Sequence, residues 1–226
     1  MSTLKITISS KSKLSPITEA EMNQYAYYAL TCINQTAELA NGTGCPDLTI
    51  EWNNTESERD VVKHSYLGET MRLMWEYAEQ GLHLDEMKKG NFYDPLMQLY
   101  RWTATCDAYL VHLGSFGDEP LEVMEVGSKL AYKFIARLKL DLKLDMSQEF
   151  IVANIYPMSH DTELTTLEYA LLSGFSHVGA VRNEVSNKSD PLKVSKTGNQ
   201  TLISVDEARK RLAKKRKFTQ TIEVDF

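Results

Sequence analysis

The chain has 226 residues and a formal net charge of −6, a length that suits one large domain or two smaller ones. With 42% hydrophobic and 25% charged residues, it holds enough apolar material for a core and the charge content of an ordinary globular protein. No window of eighteen apolar residues occurs, and the N-terminal MSTLKITISSKSKL lacks an apolar signal core, so neither a membrane span nor secretion is expected.

Cys32, Cys45 and Cys106 are odd in number and fit neither a disulfide framework nor a C-x-x-C clip, which points to a reduced, cytoplasmic setting. The five histidines do not cluster with cysteines or carboxylates at ligand spacing, so no metal and no cofactor are expected. The net charge hides an asymmetry. Residues 177–218 hold eleven Lys/Arg against four Asp/Glu, whereas residues 1–160 hold fourteen against twenty-two. An acidic body with a basic end attracts a polyanion to one end and repels it from the other.

In chain order, residues 1–15 read as polar and loose, or as one strand around Leu4–Ile8. Thr18-Glu19-Ala20-Glu21 is a capping box that opens a helix. The helix should run to about Ala40, with Met22, Tyr25, Ala29, Leu30 and Ile33 on its buried face and Asn41-Gly42 as its stop. Residues 45–54 read as a short strand or a loop. A second long helix is predicted over about Glu56–Gln80, with Val62, Tyr66, Leu73, Met74 and Tyr77 inward and Gly81 as its end; Gly68 and Thr70 interrupt that face. A third is predicted from Asp94 as cap and Pro95 as first helical residue. Leu96, Leu99, Trp102, Cys106, Tyr109, Leu110 and Leu113 face inward, with Gly114 and Gly117 as terminators. A fourth begins at Glu119-Pro120 and runs to about Leu138. In residues 139–157, KLDLKLDMSQ alternates like a strand and EFIVANIYPM suits a short helix. Pro157 and Ser159-His160-Asp161 mark a boundary. The methionines and aromatics of these helices fall at core spacing. Residues 1–157 are thus expected to form a helical domain for dimerisation or for sensing a small-molecule or protein effector.

Residues 161–218 carry the most information. Thr165-x-x-Glu168 is a second capping box, flanked by Leu164 and Tyr169 at the positions of a hydrophobic staple. A short helix with Leu167, Ala170 and Leu171 inward should end at Ser173-Gly174, where glycine suits a left-handed helix end. Phe175 can plug the corner, and Ser176 can cap the next helix, expected near 177–187. Val178, Val181 and Val185 mark one face of it. The other offers Gly179, Ala180, Asn183, Ser186 and Asn187, with Arg182 at the flank. Small residues let the backbone approach base edges, while Asn pairs with adenine and Arg with guanine in the major groove. The competing reading packs Gly179-Ala180 against the helical body. Pro191–Ile203 reads as a hairpin with its tip at Gly198-Asn199. Ser204-Val205-Asp206-Glu207 is a third capping box, opening a helix with Val205, Ala208 and Leu212 inside. Seven of the nine residues Arg209–Lys217 are Lys or Arg, suited to phosphates.

The order helix, tight turn, helix, hairpin, helix over Leu164–Leu212 resembles the winged helix-turn-helix domain of MerR-type regulators and phage excisionases. Their pattern is roughly L-T-x-x-E-A-A-x-L-x-G-V-S, then a recognition helix, a basic wing and I-x-x-x-D-A-x-x-x-L. Leu164-Thr165, Glu168, Ala170, Leu172, Gly174, Phe175 and Ser176 match the first part, and Ile203–Leu212 is similar to the last. The resemblance covers under a quarter of the chain and implies operator binding or a role in recombination. The spacing from Gly174 to Val181 is about one residue longer than the family has. Either the turn is wider, or Ala180 is the core position and the exposed face rotates.

The expected architecture is therefore mainly α: an N-terminal helical bundle (1–157), a small winged helix-turn-helix domain with one β-hairpin (161–218), and a tail (219–226). The expected function is sequence-specific binding of double-stranded DNA by a homodimeric transcriptional regulator of bacterial or phage type, without catalysis. His177, Arg182, Asn183, Ser186 and Asn187 are the candidates at the bases. Lys193, Lys196 and Asn199 belong to the wing, and Arg209, Lys210, Lys214, Lys215, Arg216 and Lys217 to the phosphates. Two alternatives stand beside this. Arg59-Asp60-Val61-Val62-Lys63-His64 has the R-x4-H spacing of HEPN ribonucleases, in which His is the acid/base and Arg stabilises phosphate charge. A non-catalytic protein-interaction adaptor is the third class.

Overall fold

Thr18 and Glu21 close a reciprocal capping box at the start of α1 (Glu19–Asn41). Glu21 Oε2 accepts from the Thr18 amide at 2.7 Å, and Thr18 Oγ1 accepts from the Glu21 amide at 3.2 Å. The computed structural model describes residues 8, 13–42, 53–113, 118–145 and 162–222, with side chains for all of these except 39, 107–113 and 118–124. On α1, Met22, Tyr25, Ala26, Ala29 and Cys32 are buried, and Leu30 and Ile33 pack at the edge of the core.

The single helix expected over 56–80 is instead three pieces: α2 (Glu56–Lys63), α3 (Tyr66–Trp75) and a π-helical turn (Glu76–Gln80). The break has a local cause. Ser65 Oγ donates to Val62 O at 2.8 Å and accepts from the Gly68 amide at 2.9 Å, so it caps α3 while closing the end of α2. Gly68 lies so close to the α2 backbone that a Cβ would run into Val62 O. The residue that lowers helix propensity is therefore there for a close backbone approach. Tyr66, expected on the buried face, is 64% exposed because the break rotates it outward. Thr70, which interrupted the apolar face, turns its hydroxyl onto Tyr66 O at 2.8 Å. Gly81 (φ +74°) ends the π turn and leads to α4 (Leu84–Lys88), a short helix absent from the sequence reading.

α5 (Tyr93–Leu113) starts one residue before the expected cap, so Asp94 and Pro95 occupy its first turn. Leu96, Leu99, Trp102 and Cys106 are buried as expected. α6 (Asp118–Leu142) runs past Leu138 and absorbs the first part of the alternating KLDL stretch. Every residue from 126 to 140 is buried. Helix neighbours on all sides, α1, α3, α5 and the π turn among them, override the strand-like alternation. The expectations for residues 1–7, 43–52 and 146–161, and for Gly114 and Gly117, lie outside the described residues.

The C-terminal elements are β1 (Leu164–Thr165), α7 (Thr166–Leu172), α8 (Gly179–Val185), β2 (Ser195–Thr197), β3 (Gln200–Ile203) and α9 (Val205–Leu212). β1 pairs with β3 (Leu164↔Ile203) and β2 with β3 (Lys196↔Thr201), giving an antiparallel sheet of order β1-β3-β2. The two-residue β1 was not foreseen, because two residues carry no periodicity. Thr165 Oγ1 accepts from the Glu168 amide at 3.2 Å and Glu168 Oε2 accepts from the Thr165 amide at 2.6 Å, the reciprocal box anticipated there.

α6 packs against both α7 and α9, and the buried apolar residues of the two halves form one contiguous cluster. Polar ties also cross the junction. Lys139 Nζ meets Glu168 Oε1 at 2.7 Å with both side chains fully buried. Arg209 Nε donates to Leu140 O at 2.8 Å and its Nη2 donates to Asp141 O at 3.2 Å. A cation thus satisfies carbonyls at the C-terminal end of α6, where the helix dipole favours it. The Leu14 amide also donates to Ser176 O at 3.0 Å. Beyond α9 the chain turns back, and residues 218–222 lie against the π turn and α6.

Candidate nucleic-acid interface

The corner between α7 and α8 is built around Gly174 (φ +64°). The Gly174 amide donates to Leu171 O at 3.2 Å and the Phe175 amide to Ala170 O at 3.1 Å. Phe175 sets its ring edge-to-face against Tyr169, centroids 6.5 Å apart, so it does fill the corner. Ser176 does not cap α8. That helix starts two residues later than expected, with Val178 at its N-cap and no side-chain cap. His177 lies over its first turn instead, where a Cβ on Gly179 would stand 2.9 Å from His177 Nδ1.

α8 also ends early. Ser186 is its C-cap, and Asn187 lies beyond it with Oδ1 accepting from the Ser189 amide at 3.0 Å and from Ser189 Oγ at 2.9 Å. Such an Asx turn stops the helix that 177–187 was expected to form. His177 and Asn187 therefore flank α8, and Arg182 and Asn183 stand on it. All four, with Ser186, are exposed.

Which residue of α8 faces inward is resolved by burial. Val181 is fully buried while Ala180 is half-buried. Val181 is thus the inward position of α8, and the face carrying Arg182 and Asn183 points away from the core.

Glu184, which the sequence reading passed over, fixes the pose of α8. Its Oε2 accepts from Tyr169 OH at 2.9 Å, its Oε1 is paired with Lys215, and its backbone carbonyl accepts from the Leu192 amide at 2.9 Å. Helix α7, the approach to the hairpin and the basic run all meet on this one residue. The available signal was its isolation: it is the single acidic side chain between 164 and 190 apart from Glu168.

The hairpin is shorter than predicted, strands beginning at Ser195 rather than near Pro191. Gly198 at its tip has φ +59°. Lys193, Lys196 and Asn199 are all exposed. Ser204 Oγ accepts from the Glu207 amide at 3.3 Å, but the box is not reciprocal. Glu207 turns its carboxylate to Arg211 Nε at 2.8 Å and to the Lys193 amide at 3.4 Å. Desolvation works against that charge, yet the hydrogen bonds from Arg211 and Lys193 outweigh it and hold the carboxyl below its usual range.

The basic run divides in two. Arg209 is spent on α6. Arg211, not among the candidates, pairs with Asp190 at 2.9 Å and with Glu207. Lys215 pairs with Glu184 and lies 4.7 Å from the centroid of Phe175. Lys217 reaches Gly174 O at 3.4 Å. Lys210, Lys214 and Arg216 are exposed, and their side chains make no hydrogen bond or ion pair among the described residues. Composition counts cations but not the acceptors that the fold brings to them.

Arg59 and His64 are not brought together by α2. Arg59 Nη1 reaches back to Asn54 Oδ1 at 3.1 Å, towards the start of the helix, while His64 is the exposed C-cap at its other end. Among the described residues no group of three or more His, Cys, Asp or Glu is placed to hold a metal ion, and no helix is long and apolar enough to cross a membrane. Comparison of the chain with models of protein families, with curated proteins and with solved structures finds no match.

Proposed function

We propose that the chain is a sequence-specific double-stranded DNA-binding protein, a transcriptional regulator of the winged helix-turn-helix type that binds as a homodimer. The observation that carries this reading is the orientation of α8. Val181 is fully buried, so the exposed face of a short helix behind a tight turn presents Arg182 and Asn183 with Gly179 and Ala180 beside them. Arg and Asn are the side chains suited to guanine and adenine edges, and small neighbours admit close approach to a groove. Lys193 and Lys196 on the wing side, Lys210 on α9, and Lys214 and Arg216 beyond it supply exposed charge for phosphates. A dimer follows from the usual need for two half-sites.

The test is selection of bound duplexes from a random pool, followed by the Arg182→Ala/Asn183→Ala variant. The selected sequence is expected to lose its preference in the variant while salt-sensitive binding to any duplex survives. An unenriched pool, or a variant that keeps the preference, refutes the assignment.

A further inference from the structure

The geometry points to a peptide-recognition cleft on the helical body, formed by Tyr77, Gly81, Arg137 and Asp141. Its occupant is the chain's own segment Phe218–Ile222, and occupancy latches the C-terminal module to α6. Arg137 is the centre. Its side chain is 1% exposed, and its guanidinium donates to Ala78 O at 3.1 Å, Thr219 O at 2.5 Å and Thr221 Oγ1 at 3.0 Å. The Phe218 ring lies beneath it, 5.1 Å from Cζ to centroid, and Tyr77 lies at 5.8 Å. Thr221 Oγ1 donates to Asp141 Oδ2 at 2.7 Å, which also accepts from Tyr77 OH at 3.0 Å. The Ile222 amide donates to Gly81 O at 3.0 Å.

The cleft is built for main chain to enter it. Gly81 has φ +74°, and a Cβ there would stand 2.8 Å from Gln220 O and 2.9 Å from Thr221 Cα. Part of the framework is internal to the body: Tyr77 with Asp141, and Arg137 with Ala78 O. The chemistry recognised is an aromatic ring, a threonine three residues on, and a free amide after it. Each contact is specific, yet the segment is held along one edge only. Thr219, Gln220 and Ile222 are exposed. A cavity of about 460 Å³, lined by Leu84, Leu140, Arg209, Phe218 and Thr221 among others, lies beside it. Loose packing on that side makes the latch cheap to open relative to a core element. Only residues 213–217 separate it from α9, so opening it leaves that stretch of the basic run held by Lys215 on Glu184 and Lys217 on Gly174 O. The inference stands apart from DNA binding and needs no DNA to test.

The experiment uses the full chain with Thr221→Val and Ile222→Pro together, which removes the hydroxyl bonds and the amide donor of the strap. Amide exchange across 205–222 is expected to accelerate at least tenfold while that of α1 stays unchanged. A synthetic peptide of residues 213–222 is expected to raise the Tm of the variant in a dose-dependent way, where a scrambled peptide does not. The same peptide at sub-millimolar concentration is expected to leave the unsubstituted chain unaffected, because the tethered segment competes at an effective concentration of roughly millimolar. Unchanged exchange in 205–222, or equal effects of native and scrambled peptides, overturns the latch. Should the double variant fail to fold, Thr221→Val alone carries the same two readouts.

Discussion

Replacing Lys139 by methionine is expected to be among the most damaging single changes in this protein. Lys139 Nζ lies 2.7 Å from Glu168 Oε1, and neither side chain is exposed. Lys139 also donates to Glu163 O at 3.3 Å. Methionine fills most of the same volume, so the cost is electrostatic: a carboxylate is left in the interior without its counter-charge. Breaking such a pair costs about 3–5 kcal/mol. For a chain of this length that corresponds to a fall in Tm of roughly 6–20 °C. The damage should be undone in large part by Glu168→Gln, because glutamine is neutral and still accepts from the Thr165 amide, now at 2.6 Å from Glu168 Oε2. Urea denaturation followed by far-ultraviolet circular dichroism, on both single variants and the double variant, yields the coupling. A loss below about 1 kcal/mol for Lys139→Met, the value of a solvent-screened pair, refutes the reasoning, as does a double variant no better than the worse single one.

Val181→Ala should cost about 2 kcal/mol in the same denaturation assay, from lost burial and the cavity left behind. Arg182→Ala next to it should change stability by under about 0.5 kcal/mol, and equal costs at the two positions contradict the orientation of α8. Glu207 has its folded carboxyl held below the usual range, so its stabilising effect is present above that range and fades as pH falls through the folded value. The stability gap between the unsubstituted chain and Glu207→Gln should therefore be constant from pH 7 to 5 and narrow at lower pH, as the carboxyl is protonated through its lowered folded value. A gap that is the same at every pH, acid included, argues against the Arg211 and Lys193 contacts.

What the sequence determined by itself was local. The boxes at Thr18 and Thr165, the stop at Gly174 and the turn at Gly198 use atoms within a few residues of one another, and each forms where its motif stands. The apolar periods of α1 and α5 placed their buried faces for the same reason. The full burial of α6 across 126–140, the split at Ser65 and the inward turn of Val181 were decided by tertiary packing. So were the partners of the charged residues. Arg209 finds the end of α6 sixty-nine residues away, and Glu184 gathers Tyr169 and Lys215. A lysine on paper is a free charge. Whether it remains one depends on which carbonyls and carboxylates the fold delivers to it, and long-range proximity has no signature in a window of neighbouring residues.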